Sequence, residues 1–239
     1  MTNVSFQSRP AVFKAGLSAG WPICLGYLPI GMAFGVLAQK AGLGPVKIGL
    51  MSILVFAGSA QFIAVSMLDA GASALTIITT TFVINLRHVL MSSALSVYLR
   101  AARRKLLALY AYGVTDESFA VNLPRFNAGG WSLSRALVVN HAANLTWLFS
   151  TVAGGIGGRF IPEGALGIDY ALIAMFICLL IYQIRKLIHL LTAVIAGLTA
   201  VGIALLVPGN SYIVIASIVA ASVGVVIQRN VLKGHKKNG

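Results

Sequence analysis

One stretch of the chain, TTTFVINLRHVLMSS at residues 79–93, places an arginine and a histidine inside an apolar segment. Arg87 and His88 lie near the middle of the run 72–99, which exceeds the length of about 20 residues that a helix needs to cross a bilayer. A charge at that depth costs at least about 2.5–3.5 kcal/mol, so it usually faces a cavity or a partner. The stretch therefore predicts a transmembrane helix with a polar face.

Polar side chains continue this face along the same helix. They recur at steps of four, three, four and four residues, at Thr81, Asn85, His88, Ser92 and Ser96. This spacing places them in one row. An isolated arginine could reach the membrane interface, but a whole row cannot, so we expect a face lined by water or substrate. For His88 alone, a structural hydrogen bond is an equally good explanation.

The rest of the chain is also strongly apolar. Of its 239 residues, 58% are hydrophobic and 10% are charged, whereas a soluble domain carries about 25% charged residues. The mean hydropathy is +0.90. Five Asp and Glu residues are too few to build a water-facing surface. Composition therefore indicates an integral membrane protein.

Seven apolar stretches are each near the length of a membrane span. They cover residues 15–39, 47–69, 72–99, 131–157, 168–184, 187–207 and 211–228. An eighth stretch, 106–123, is interrupted by polar residues and is interpreted as a re-entrant or half-spanning element. We predict an all-α polytopic protein of about seven transmembrane helices, some discontinuous. It forms one domain, 1–239, with a short N-terminal tail at 1–14 and a basic C-terminal tail at 229–239.

The positive charges follow the spans. The formal net charge is +13, and most Lys and Arg residues lie in the gaps between apolar stretches. Such residues stay on the cytoplasmic side, which places the C-terminus in the cytoplasm. With seven spans the N-terminus lies outside; if the first stretch is a hairpin broken at Pro29, it lies inside. The scattered charge does not indicate nucleic-acid binding.

The first apolar stretch combines close-packing residues with a proline. Gly16 and Gly20, and again Gly31 and Gly35, have the spacing that lets two helices approach closely. Pro29 removes a backbone donor and should kink or break the helix. Helix packing and a broken helix that binds a polar ligand are both consistent with this pattern.

The second stretch carries LVFAGSAQF at residues 54–62. Gly58 and Ser59 can weaken a helix at mid-membrane, and Gln61 must find a hydrogen-bond partner there. An unwound point would offer free backbone N–H groups to a carboxylate. The alternative is tight packing by small residues.

Two of the five carboxylates, Asp116 and Glu117, are adjacent in the eighth stretch. They could cap the N-terminus of a half-helix. They could also pair with Arg87, bind a substrate ammonium group or carry a coupling proton, since transporters use intramembrane carboxylates in these ways.

The fourth stretch holds Asn140, Asn144 and Trp147 on one helical face. Hydrogen bonding between helices and ligand contact explain this face equally well. Cys24 and Cys178 lie in apolar stretches and indicate neither a disulfide framework nor a metal site. The sequence shows no metal-ligand spacing, nucleophile elbow or phosphate loop, so we expect neither a cofactor nor an enzyme.

These motifs together resemble the AzlC family, the large subunits of bacterial branched-chain amino acid exporters. The matching segments are PIGMAFGVLAQKAGL (29–43), LVFAGSAQF (54–62), TTFVINLRHVLMS (80–92) and TDESFA (115–120). The resemblance implies a secondary transporter in the bacterial cytoplasmic membrane that exports valine, leucine, isoleucine and sometimes methionine. It also implies a small membrane subunit of the AzlD type as partner, and no cofactor.

Our working hypothesis is an energy-coupled amino acid exporter. The substrate carboxylate would meet Arg87 and free N–H groups near Gly58 and Ser59, and its ammonium would meet Asp116 or Glu117. Further candidate substrate-binding residues are Gln61, Asn85, His88, Asn140 and Asn144. The alternatives are a channel for small anions, a membrane enzyme and a purely structural partner subunit.

Overall fold

A computed structural model describes residues 8–160 and 187–206, with a few separate positions between 170 and 184 and between 219 and 224. All regular structure in these residues is helical, which confirms the predicted all-α fold there. The predicted stretches 168–184 and 211–228 lie largely outside the described residues. The predicted C-terminal tail, 229–239, lies wholly outside them.

Eight α-helices are described, and a 3₁₀ turn at Gly158–Phe160 follows the seventh. The helices are α1 (Arg9–Lys40), α2 (Pro45–Leu54), α3 (Gly58–Asp69), α4 (Ala74–Ser96), α5 (Arg104–Tyr112), α6 (Asp116–Asn127), α7 (Leu133–Gly157) and α8 (Leu187–Leu206). Helix α1 begins within the segment that was predicted as the N-terminal tail.

The described residues divide into two compact units. One contains the first turns of α4, Ser73–Val83, together with α8. The other contains α1 to α3, the remainder of α4 and α5 to α7. Every candidate functional residue from the sequence lies in this second unit.

Helix α1 is continuous across both of its internal prolines, Pro22 and Pro29. The alternative of a hairpin or broken helix at Pro29 is therefore wrong. Proline removes one backbone hydrogen bond but does not by itself end a helix. Contacts with α7 on both sides of Pro29 hold the two halves of α1 in line.

Helices α1 and α7 approach each other through glycine, as the two glycine pairs predicted. A Cβ built on Gly16 would lie 2.6 Å from the Cβ of Val138, and one on Gly20 would lie 3.3 Å from the Cα of Val139. A Cβ on Gly35 would meet the backbone of α7 at Thr151. Because the two backbones nearly touch along most of α1, this pair forms the centre of the unit.

Two of the predicted apolar segments are divided into pairs of short helices. The second stretch, 47–69, becomes α2 and α3, which are separated at residues 55–57. The interrupted stretch 106–123 becomes α5 and α6, which are separated at residues 113–115. At 1.5 Å per residue, each of these helices is about 14–18 Å long, too short to cross a bilayer alone.

The interior of this unit holds polar side chains among its apolar ones, and its outward surface carries large apolar side chains. Ser52, Gln61, Asn122, Asn140 and Thr151 have no exposed side-chain surface, while α1 exposes large apolar side chains such as Trp21 and Leu25. Two described helices, α1 and α4, are long and apolar enough to cross a membrane. This distribution is what a bilayer environment requires, because buried polar groups find partners inside the protein.

We predict that Gly35→Ala destabilises the protein, because the new Cβ would collide with backbone atoms of Thr151 and Gly155 that cannot move aside. Overpacking of this kind costs about 1–3 kcal/mol, so the thermal midpoint in detergent should fall by at least about 2 °C.

Gly26→Ala on the same helix is the matched control. A Cβ at Gly26 meets nothing within 4 Å, and alanine favours helix by up to about 1 kcal/mol relative to glycine. Its midpoint should stay level or rise. Equal midpoints for the two variants would contradict the close α1–α7 contact.

Candidate functional site

Arg87 joins the two helix breaks. Its Nη1 lies 2.8 Å from Oδ2 of Asp116, in the first turn of α6. Its Nη2 donates a hydrogen bond to Oγ of Ser59, in the first turn of α3. Both side chains of the ion pair remain nearly one-third exposed. One role predicted for the two carboxylates was pairing with Arg87, and Asp116 forms that pair.

The N-terminus of α3 keeps free backbone donors beside this ion pair. The first backbone N–H of α3 that donates a hydrogen bond is that of Gln61, which bonds to the Ala57 carbonyl at 2.9 Å. Among the described residues, the N–H groups of Gly58, Ser59 and Ala60 donate no hydrogen bond, and no side chain caps this helix. The helix dipole adds partial positive charge at this end, so the position is suited to an anion.

The N-terminus of α6, by contrast, is capped. Thr115 and Ser118 form a reciprocal capping box, in which each side chain accepts from the other's backbone N–H. The cap is therefore threonine and not either of the neighbouring carboxylates. Asp116 and Glu117 occupy the first turn, where negative charge interacts favourably with the helix dipole.

Glu117 points to a different partner from Asp116. The hydroxyl of Tyr27 on α1 donates a 2.7 Å hydrogen bond to Oε2 of Glu117. The same hydroxyl lies 3.0 Å from Oγ1 of Thr115. Tyr27 is 7% exposed, so this contact attaches α6 to the buried face of α1.

Gln61 is completely buried and bonded within the protein. Its Oε1 accepts from Nε1 of Trp147 at 2.7 Å, and its Nε2 donates to Oγ of Ser52 at 3.4 Å. Ser52 in turn shares a 2.9 Å hydrogen bond with Thr151. Gly58 lies against the ring of Trp147, which a Cβ would approach to 3.2 Å. These contacts hold α2 and α3 against α7.

Asn144 connects the two helix breaks to each other. Its Nδ2 donates to the hydroxyl of Tyr112 at 3.3 Å, and that hydroxyl donates to the carbonyl of Ile53 at 2.6 Å. Ile53 is in the last turn of α2, and Tyr112 ends α5. The Tyr112 hydroxyl thus donates a hydrogen bond to the Ile53 carbonyl, which has no partner within α2 because the helix ends there.

Asn140 has no exposed surface and forms a hydrogen bond with the last turn of α5. Its Nδ2 donates to the carbonyl of Tyr110 at 3.1 Å, and its Oδ1 accepts from Nδ2 of Asn122 at 3.0 Å. Trp131 completes the chain by donating to Oδ1 of Asn122. The contacts described for Asn140 are therefore those of hydrogen bonding between helices.

Three neighbouring residues of α4 each carry a buried polar atom that lacks a hydrogen-bond partner among the described residues. These atoms are Oδ1 of Asn85, Nε of Arg87 and Nε2 of His88. His88 also lines an open depression of about 470 Å³, together with Val89, Ser92, Ser93 and Ser96. His88, Ser92 and Ser96 therefore share a face, as the sequence spacing predicted.

The structure brings together five of the ten candidate residues from the sequence, around the ends of α3 and α6. They are Gly58, Ser59, Arg87, Asp116 and Glu117. Sequence reasoning missed Tyr27 and Tyr112, although both carry a hydroxyl in an apolar surrounding. Such a hydroxyl usually finds a partner, and that requirement could have identified them as candidates.

The chain was also compared with known proteins. Residues 22–161 match the AzlC protein family. The inner membrane protein YgaZ of Escherichia coli is 31% identical over 68% of this chain and 67% of its own length. The branched-chain amino acid transport protein AzlC of Bacillus subtilis is 28% identical over 94% of this chain and 89% of its own length.

A membrane protein of Archaeoglobus fulgidus is 29% identical over 83% of this chain and 88% of its own length. No solved structure matches the chain. The family match covers more than half of the chain, including both helix breaks and Arg87. The chain is a membrane protein and belongs to the AzlC family.

Proposed function

We propose that this protein is the large subunit of a secondary transporter that exports branched-chain amino acids across the bacterial cytoplasmic membrane. Its substrates are valine, leucine and isoleucine, with methionine as a further substrate, and its partner is a small AzlD-type membrane subunit. The relative from Bacillus subtilis is a branched-chain amino acid transport protein by name, which supports the substrate class. The site supports a zwitterionic substrate.

The ion pair between Arg87 and Asp116 is the observation that carries this proposal. It lies where two interrupted helices begin, and such interrupted segments form substrate sites in many transporters. Arg87 already contacts one carboxylate and one hydroxyl, and its Nε has no partner among the described residues. A guanidinium group with that arrangement can bind a second carboxylate.

The charges of a free amino acid complement those of Arg87 and Asp116. Its carboxylate would bind Arg87 and the free N–H groups of Gly58 and Ser59, while its ammonium would bind Asp116. The resident ion pair is thereby replaced by two new ones, so no charge is left unpaired in the low-dielectric interior. The apolar substrate side chain would contact Ile, Leu, Val and Phe side chains of the surrounding helices.

This charge balance favours a zwitterion over a small anion. An anion that displaced Asp116 from Arg87 would leave the aspartate without a cation, and an unpaired carboxylate is costly away from water. A channel for small anions is therefore the weaker alternative.

For the whole chain we propose about seven transmembrane helices, with the α2–α3 pair together forming one discontinuous span. The length and apolar character of α1 and α4 support this arrangement. The C-terminus is then cytoplasmic, because most cationic gaps fall on one side.

Arg87→Ala should strongly reduce transport. In proteoliposomes that contain both subunits, valine efflux should fall at least about tenfold, since a hydrogen bond to a charged group contributes about 1.5–3 kcal/mol. Efflux of labelled valine from preloaded vesicles measures the effect. Unchanged efflux would remove Arg87 from the substrate site.

Arg100→Gln provides the matched control. Arg100 is exposed and lies just after α4, so its loss removes one positive charge without touching the helix breaks. Its efflux should equal that of the unaltered protein. A similar loss in both variants would indicate a general charge effect.

Branched-chain substrates should exchange with one another at comparable rates. One methylene in an apolar pocket contributes only about 1–3 kcal/mol, so valine and isoleucine should differ by less than about 200-fold in kcat/KM. Labelled valine should enter vesicles that hold unlabelled isoleucine and then saturate with concentration. Chloride flux without such counterflow would instead indicate the anion channel.

A further inference from the structure

We propose that Glu117 carries the coupling proton of the transport cycle and that Tyr27 is its positioning residue, while Asp116 pairs with Arg87. This inference rests on the proposed transport function and assigns residues to its coupling step. It divides two adjacent carboxylates, which the sequence could not distinguish, into separate roles.

The two adjacent carboxylates have different partners. Asp116 lies 2.8 Å from the guanidinium of Arg87, so protonation of Asp116 would leave that cation with only the hydroxyl of Ser59 as a described partner. Glu117 forms no salt bridge among the described residues, and its described side-chain partner is the neutral Tyr27. Glu117 can therefore gain and lose a proton without leaving an unpaired cation.

Glu117 is held by a hydrogen bond and is only partly buried. The Tyr27 hydroxyl is buried and approaches Oε2 to 2.7 Å, which fixes the carboxyl group. The ring of Tyr27 is itself held by edge-to-face contact with Trp147 at 5.2 Å. Glu117 as a residue is only half-buried, and its second oxygen, Oε1, has no hydrogen-bond partner among the described residues.

Among the described residues, few titratable or charged groups surround Glu117. Helix α1 contributes Tyr27, α4 contributes Arg87 and His88 near the ion pair, and α6 contributes Asp116 itself. Toward the helix breaks, α7 presents the neutral side chains of Asn140, Asn144 and Trp147, and its His141 ring bonds to the Leu137 carbonyl of its own helix.

The proposed step balances in protons and charge. One proton from the side of higher proton concentration bonds to Oε1 of Glu117 and gives a neutral carboxylic acid. After the conformational change, the same O–H bond breaks and the proton leaves to the opposite side. Tyr27 keeps its own proton throughout and only holds Oε2. One substrate molecule moves per cycle in exchange for that proton.

The test separates exchange from coupling in proteoliposomes that contain both subunits. Valine counterflow at equal pH needs no net proton movement, whereas accumulation driven by a pH gradient does. For Glu117→Gln we expect counterflow within about threefold of the unaltered protein and gradient-driven accumulation reduced at least about tenfold. Asp69→Asn, at the exposed end of α3, should change neither measurement.

Tyr27→Phe tests the positioning role without removing a carboxylate. Without the hydroxyl, Oε2 of Glu117 loses its described partner, so gradient-driven accumulation should fall more than counterflow does. A purely structural role would lower both measurements by the same factor. This variant also decides the matter if Glu117→Gln does not yield folded protein, because an equal change in both measurements overturns the proposal.

Three further results would overturn the inference. Full gradient-driven accumulation in Glu117→Gln would exclude it as the proton carrier. Loss of counterflow in folded Glu117→Gln would make it a substrate-binding residue instead. Counterflow without any response to a pH gradient in the unaltered protein would exclude proton coupling. Absence of counterflow in the unaltered protein contradicts the proposed function itself, so the two failures are distinguishable.

Discussion

A helix that is interrupted inside a membrane must find partners for the backbone groups that it releases, because lipid supplies none. Helix α7 meets this requirement for both breaks. Asn140 takes the carbonyl at the end of α5, and Asn144 supports the tyrosine hydroxyl that takes a carbonyl of α2. Trp147 fixes Gln61 in the first turn of α3. The polar face of α7 is therefore what permits two interrupted helices in an apolar protein.

Of the four helix ends at the two breaks, the N-terminus of α3 is the one without a side-chain partner among the described residues, and it lies beside the ion pair of Arg87 and Asp116. Elsewhere in this unit, polar groups at the helix breaks are bonded to one another. A site that keeps free donors next to an exchangeable carboxylate is what a transporter for zwitterions requires. Arg87 thus supplies a structural link between α3 and α6, and under the proposed function it releases its partner for a substrate.

The sequence predicted those features that depend on local composition. Gly58, Ser59 and the polar residues at 115–117 indicated where helices would be interrupted, and the glycine pairs of the first stretch indicated a close helix contact. The outcome at Pro29 could not be predicted, because whether a proline interrupts a helix depends on what packs beside it. The partners of Asn140 and Glu117 depend on contacts between residues distant in the chain, for which one sequence carries no signal.

The glycine contact between α1 and α7 also limits how this protein can move. A side-chain layer between two helices allows small sliding movements, because rotamers can change as the surfaces shift. Here the carbonyl of Met32 rests directly against Gly154, and Gly35 against the backbone of Thr151. A shift of one residue would bring a side chain such as Ala153 against that backbone. We therefore expect the two helices to move as one rigid element, and under the proposed function any rearrangement that opens the site to alternate sides belongs to the short helices around them.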